Sequence, residues 1–134
     1  MADIEVRNSK IHWKGVFALK DFKKGETVVD WFNCSTQLTK SQVNKLPKYK
    51  RKHISYLGND KWVLFKSPGK YMNHSCDPNT KAVNGKDVAV RPINKGDEIT
   101  VDYISEKVPV GKMKCQCGNK NCKKIISHGL KPLL

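Results

Sequence analysis

Nothing in this 134-residue chain approaches 18 uncharged apolar residues in a row, so no bilayer-spanning helix is expected. Residues 1–10 carry Asp3, Glu5, Arg7 and Lys10 and lack the apolar core of a secretory signal. The expectation is a protein that stays inside a cell, in nucleus or cytoplasm, and makes no use of a membrane. Acidic residues are scarce, 12 against 26 lysines and arginines, which leaves a net charge of +14. A surplus of that size favours acidic partners, and nucleic acid through counterion release. Its densest run is Lys48-Tyr49-Lys50-Arg51-Lys52-His53. No base-reading motif accompanies the run, so a solvated lysine-rich face stands beside nucleic acid as its reading. Cysteine is also sparse: five residues, an odd number, with three crowded into eight positions. In a reducing compartment that pattern argues for metal rather than a disulfide framework. His12, His53 and His128 have no ligand spacing and receive no role. The length fits one domain, large enough to bury roughly two thirds of its unfolded surface around one core.

What the chain does contain is mostly strand signal. Residues 4–6, 11–19 and 26–32 are rich in β-branched and aromatic side chains, and further strands are expected at 53–57, 61–65, 80–83 and 86–91. Asn84-Gly85 between the last two predicts a tight hairpin, because both central turn residues need positive φ. Residues 18–27 and 89–98 echo each other as strand, Lys-Gly-acid turn and strand, too short for a repeat architecture and read as two similar corners. One helix start is clear. Thr39 and Gln42 make a capping box, Leu38 and Val43 a hydrophobic staple, and Pro47 limits the helix to about residues 40–45. The fold class is mainly β with short helices.

Three stretches carry special chemistry. Lys70-Tyr71-Met72-Asn73-His74-Ser75-Cys76-Asp77-Pro78-Asn79 ends in turn residues that hold Asn-His-Ser-Cys at a chain reversal. Gly96-Asp97-Glu98-Ile99-Thr100-Val101-Asp102-Tyr103 follows, and then Cys115-Gln116-Cys117-Gly118-Asn119-Lys120-Asn121-Cys122. In order and spacing these resemble the R-F-I-N-H-S-C-x-P-N, G-E-E-L-T-x-D-Y and C-x-C-x4-C patterns of the SET-domain protein-lysine methyltransferases. Trp13-Lys14-Gly15-Val16-Phe17-Ala18 is a weaker match to the family's G-x-G-V/L-F-A. The likeness runs from about residue 11 to residue 126. Three positions depart from it: Trp13 replaces a glycine, Val101 stands where an aromatic often precedes Asp-Tyr, and Ile125 where one often follows the last cysteine.

The resemblance implies a SET fold of small curved sheets, with a threaded C-terminal segment that brings Asn73-His74 and Tyr103 to one site. It implies a body over residues 1–104, with a variable insert at about 36–56, and a zinc-binding tail over 105–134. The activity implied is methyl transfer from S-adenosylmethionine to a lysine amine of a protein, a histone or other chromatin protein being the family's commonest target. Tyr103 would be catalytic; Lys14, Gly15, Val16, Asn73 and His74 would hold the cofactor; Tyr56 and Tyr71 would wall the lysine channel. Cys76 would complete a zinc site with Cys115, Cys117 and Cys122, leaving Cys34 as a buried free thiol. Plain core roles stand beside these for Tyr103, as the end of an Ile99, Val101, Tyr103 strand face, and for Tyr56 and Tyr71.

Two other functional classes fit parts of this pattern. A hydrolase using Cys76 with His74 is unattractive, because residues two apart in extended chain point to opposite faces. A zinc-dependent nucleic-acid-binding module accounts for the charge and the cysteines. It leaves Asn73-His74 and Asp102-Tyr103 without a purpose.

Overall fold

Turn residues with positive φ divide this chain into short strands. The computed structural model describes residues 2–106 and 112–127. In chain order its elements are β1 (Ile4–Asn8), β2 (Lys14–Ala18), β3 (Thr27–Asp30), β4 (Ser35–Thr39), α1 (Lys40–Asn44), β5 (Ile54–Gly58) and β6 (Lys61–Phe65). They continue with β7 (Asn73–His74), β8 (Thr80–Val83), β9 (Lys86–Ala89), β10 (Glu98–Val101), β11 (Lys112–Lys114) and β12 (Ile125–Ser127). The strands form small sheets in the orders β1-β2-β10-β7, β3-β9-β8, β4-β6-β5 and β11-β12. The expected mainly β fold is the one adopted. Residues 107–111 and 128–134 of the expected tail, His128 among them, lie outside the described residues.

Local turn chemistry explains the hairpins. Asn84 and Gly85 have φ of 50° and 79° and join β8 to β9, with Val83 opposite Lys86 and Thr80 opposite Ala89. Positive φ at both turn positions matches the right-handed twist of the flanking strands. Asn59 and Asp60, at φ 53° and 59°, do the same between β5 and β6.

The two echoing corners pair with each other across a local dyad. Phe22 and Ile93 exchange backbone hydrogen bonds of 2.7 and 3.0 Å at its centre. On one side the Ala18 N–H donates to Asp97 O and Gly96 N–H to Ala18 O; on the other Ala89 N–H donates to Glu26 O and Gly25 N–H to Ala89 O. Gly25 and Gly96 have φ of 89° and 92°, which a side chain would strain. The dyad joins the sheet that carries β10 to the sheet that carries β9.

Some elements are shorter than their sequence suggests. β2 begins at Lys14 because residues 9–13 form a bend, closed by the Ser9 N–H donating to Trp13 O at 3.0 Å. β3 stops at Asp30, whose carboxylate accepts from the Phe32 N–H and caps a 3-10 turn at Trp31–Asn33. β4 was not expected from its mixed Ser-Thr-Gln-Leu-Thr sequence; it forms by pairing with β6. At α1 the capping box is complete, with Gln42 N–H to Thr39 Oγ1 at 3.3 Å and Thr39 N–H to Gln42 Oε1 at 2.9 Å. Val43, fully buried, packs with Ile54, Trp62 and Leu38 in a second core under the β4-β6-β5 sheet. Thr39→Ala should therefore cost about 1 kcal/mol, read as a lowered urea midpoint with unchanged slope.

The arrangement that positions the site is the β1-β2-β10-β7 sheet. β10 pairs antiparallel with β2 through Glu98–Phe17 and Ile99–Val16, and parallel with β7 through Thr100–Asn73 and Val101–His74. Residues far apart in sequence thus share one sheet edge. The Asn79 side chain adds to the junction, accepting from the Thr100 N–H at 2.9 Å and donating to Glu98 O at 2.9 Å. Val16, Ile99 and Val101 are buried beneath it, each stabilising the fold by about 1.5 to 3 kcal/mol.

Candidate active site and metal centre

The bend at residues 9–13 is held by one amide. Asn73 Nδ2 lies 2.8 Å from Lys14 O, 3.2 Å from His12 O, 3.1 Å from Ser9 Oγ and 2.9 Å from Glu98 Oε2. Ser9 Oγ also donates to Glu98 Oε1 at 2.7 Å. This cluster of short polar bonds sits where β2, β7 and β10 meet, and Gly15 is the residue that leaves room for it. A Cβ on Gly15 would run into the Glu98 carboxylate, 2.9 Å from its carboxyl carbon, and stand 3.0 Å from Ser9 Cβ. Because Glu98 is pinned by Ser9 and Asn73, it cannot swing aside without losing charge-assisted hydrogen bonds worth about 1.5 to 3 kcal/mol each. Gly15→Ala should unpin the bend and lower thermal stability, checked by a melting curve.

Trp13 occupies this bend at φ 36°, a conformation glycine adopts freely. A tryptophan thus holds positive φ at the position where the resembled pattern has glycine. The indole is 68% exposed and packs edge-on against Tyr71, with ring centroids 6.0 Å apart.

A cavity of about 450 Å³ opens beside the bend. Its lining includes Trp13, Lys14, Tyr71, Met72, Asn73, Val101 and Tyr103, together with Phe65, Asp87, Glu106 and Met113. Tyr103 does not end a strand face, as its alternation with Ile99 and Val101 suggests, because β10 stops at Val101 and the chain turns. The turn aims its hydroxyl at the Met72 carbonyl, to which it donates at 2.6 Å. Burial first, then the charges of Glu106 and Glu98, push the phenol well above its ordinary value, so it stays protonated.

His74 ties this cavity to the cysteines. Its Nδ1 accepts from the Tyr103 N–H at 3.1 Å, which puts the ring proton on Nε2, 3.5 Å from Cys76 Sγ. Burial is the leading effect on the imidazole and lowers its pKa, outweighing the attraction of Asp102. The ring is therefore neutral, and its 3.7 Å approach to Asp102 is no ion pair. A second cavity of about 290 Å³ lies between Ile11, His12, Asn73, His74 and the tail residues Met113, Lys114, Cys115 and Gln116.

The sulfurs of Cys76, Cys115, Cys117 and Cys122 all lie within 4.8 Å of one another. Cys76 and Cys115 are 3.7 Å apart, near the edge of about 3.8 Å expected for a tetrahedron with metal–sulfur bonds of about 2.3 Å. Backbone N–H groups of Lys123 and Lys124 approach Cys76 and Cys122 Sγ at 3.4 Å, as donors to thiolates do. The donor set could hold a metal ion. Asn119 Nδ2 to Ser75 Oγ at 2.7 Å and Asn121 Nδ2 to Cys76 O at 3.0 Å fasten the tail to the Asn-His-Ser-Cys loop independently of metal.

The SET domain family model matches residues 14–104, more than half of the chain. The chain belongs to the SET-domain family. Among similar curated proteins are histone-lysine N-methyltransferase trithorax of Drosophila virilis, 29% identical over 145 aligned residues, and histone-lysine N-methyltransferase SET9 of Phaeosphaeria nodorum, 29% over 129. Human histone-lysine N-methyltransferase SETD2 is 28% identical over 139. These alignments cover 92%, 91% and 91% of this chain but only 4%, 19% and 5% of the relatives. The chain therefore spans less than a fifth of the length of those proteins.

Within this SET domain, Lys14, Tyr71, Asn73 and Tyr103 share the larger cavity, while Asn73, His74 and Tyr103 share the smaller one. Gly15 and Val16 lie behind them in β2, Val16 fully buried. Tyr56 is the exception. It is absent from both linings and stacks on Trp62, with ring centroids 4.5 Å apart, against the second core. Cys34 is a buried free thiol, its pKa raised chiefly by burial. The sequence reading overlooked Ser9, Glu98, Asp87 and Glu106. Only Glu98 lay inside a quoted motif, two residues past Gly96.

Proposed function

We propose that this chain transfers a methyl group from S-adenosylmethionine to the side-chain amine of a lysine in a protein. The observation that carries this reading is the convergence of Tyr71, Tyr103 and the Asn73-anchored bend on one cavity. The chemical difficulty is that only about one lysine in 2,500 is neutral at pH 7. Trp13, Phe65, Tyr71 and Tyr103 in the cavity wall would strip water from the ammonium, and desolvation lowers its pKa. When bound, S-adenosylmethionine supplies an electrophilic methyl group on a sulfonium. Lys14, Gly15 and Val16 would hold it through backbone, Asn73 by fixing that backbone, and His74 from the smaller cavity. Tyr71 would face the lysine stem. Tyr103, held against the Met72 carbonyl, would orient the amine with its hydroxyl.

Cys76, Cys115, Cys117 and Cys122 would hold zinc, which would order a tail at residues 105–134 against a body at 1–104. The similarity to histone-lysine methyltransferases favours a histone or other chromatin protein as substrate, and hence action inside a cell, in nucleus or cytoplasm. The +14 charge suits acidic or nucleic-acid-bound partners. The rival is a zinc-dependent nucleic-acid-binding module, for which the cavity would have no use. Isothermal titration with S-adenosylmethionine separates the two: the enzyme reading expects saturable binding at one site per chain, and no binding heat at several temperatures would contradict it.

A further inference from the structure

Two acids in the cavity wall have no part in cofactor or metal binding. Asp87 on β9 is 2% exposed and Glu106, three residues past Tyr103, is 5% exposed, yet both line the cavity that Tyr71, Met72 and Tyr103 share. Neither makes an ion pair among the described residues, despite the large cationic surplus. Asp87 Oδ1 and Glu106 Oε2 are buried without a donor. A buried carboxylate left without a cation takes up a proton, and two adjacent ones share it. Burial, opposed by hydrogen bonding to Glu106 and by the nearby Trp31 indole, pushes Asp87 up to about 6. Burial, then the charge of Asp87, raises Glu106 well above the ordinary range. Near neutral pH the pair therefore holds one proton and one negative charge, at the wall of a cavity that Lys14, Lys52, His53 and Lys70 also line.

We propose that the Asp87–Glu106 pair is a cation-recognising, proton-accepting group for the substrate, receiving the lysine ammonium and taking its proton before methyl transfer. This role rests on the methyl-transfer reading above. One N–H bond of the ammonium breaks and its proton goes to the ionised carboxylate, so both acids become neutral while the nitrogen keeps its electron pair. That pair forms the new bond to the methyl carbon as the carbon–sulfur pair returns to sulfur, giving a thioether and a methylated ammonium. The acids return one proton to water when the product leaves. At a buried pair the neutral amine and acid compete well with the ion pair, because burying two charges is costly. The charge also favours a cationic side chain in a cavity whose wall otherwise combines aromatic and aliphatic side chains with Lys14, Lys52, His53 and Lys70.

The test uses the metal-loaded protein, with n-butylammonium chloride and 1-butanol as probes and S-adenosylmethionine with a lysine peptide for turnover. Asp87→Asn and Glu106→Gln keep shape, and circular dichroism with thermal melting checks that each folds. The wild type should bind butylammonium at least about tenfold more tightly than butanol, a margin that one buried charge supplies and that each variant reduces. Asp87→Asn should also lower kcat about tenfold or more near neutrality and abolish the acid limb of the pH profile, leaving a rate that climbs toward the amine pKa. The groups that could confuse that limb are Asp102 beside Glu106, Cys34 near Asp87, Tyr103, and His12, Lys14, Lys52, His53 and Lys70 in the cavity lining. His12→Gln and His53→Gln are included for that reason and should leave the limb in place. Equal affinity for the two probes in the wild type overturns the cation site, and an unchanged acid limb in Asp87→Asn overturns the proton transfer. A wild type that prefers butylammonium yet transfers no methyl supports the cation site and overturns the enzyme reading instead.

Discussion

Tyr103→Phe is expected to keep the fold and the affinity for S-adenosylmethionine while methyl transfer falls by about two to four orders of magnitude. The substitution removes one hydroxyl and almost no volume, so the ring still fills its place against the core. What disappears is the 2.6 Å hydrogen bond to Met72 O and the hydroxyl proposed to orient the amine. As a structural bond it is worth about 1 kcal/mol, too little to unfold the domain. A core tyrosine with no chemical role predicts the same small stability loss with undiminished turnover. Stopped assays of initial rate, beside titration calorimetry of cofactor binding, separate the two readings.

Cys76→Ser is expected to lose zinc and activity together, as Cys122→Ser should, whereas Cys34→Ser should keep both. Residues 112–127 form the short β11-β12 hairpin, with Lys112, Lys114 and Ile125 exposed and Cys115 and Ile126 their buried apolar side chains. Zinc bound by the four cysteines would add to the Asn119 and Asn121 hydrogen bonds in ordering them, since structural zinc sites yield on the order of 10 kcal/mol in isolated peptides. The loss reaches the cavity because His74 stands between Cys76 Sγ and the Tyr103 N–H, and because Met113 and Cys115 complete the smaller cavity. Chelation should do the same to the wild type while leaving the β-rich body folded. Elemental analysis of the purified variants gives the answer directly; a Cys76→Ser protein with one full equivalent of zinc would mean that the cluster closes without it.

Legibility followed the range of the interactions. Asn84-Gly85, the Thr39 cap and the two glycine corners are set by residues within a few positions, and each could be read from sequence. That the two corners pair with each other could not, because Phe22 and Ile93 meet only through the tertiary dyad. β4 was invisible for the same reason: Ser35–Thr39 has no alternation, and β6 supplies its partner. At the site, motif resemblance pointed to Asn73, His74, Tyr103 and the cysteines, but not to what they touch. Ser9 and Glu98 reach Asn73 from 64 and 25 residues away, a convergence that no local pattern encodes. Asp87 sits between Lys86 and Val88 where a polar residue on a hairpin ordinarily faces water, and the β3-β9-β8 sheet turns it inward instead. Tyr56 shows the converse, an aromatic between Ser55 and Leu57 that packs on Trp62.

Incubating the zinc-loaded protein with S-adenosylmethionine carrying a labelled methyl group, histones and a whole-cell extract, then locating the label by mass spectrometry, tests the central claim most directly. The account predicts label on lysine side-chain nitrogens of protein, present with the wild type and nearly absent with Tyr103→Phe. Label confined to nucleic acid or to other side chains, or equal lysine labelling by the wild type and Tyr103→Phe, would contradict it.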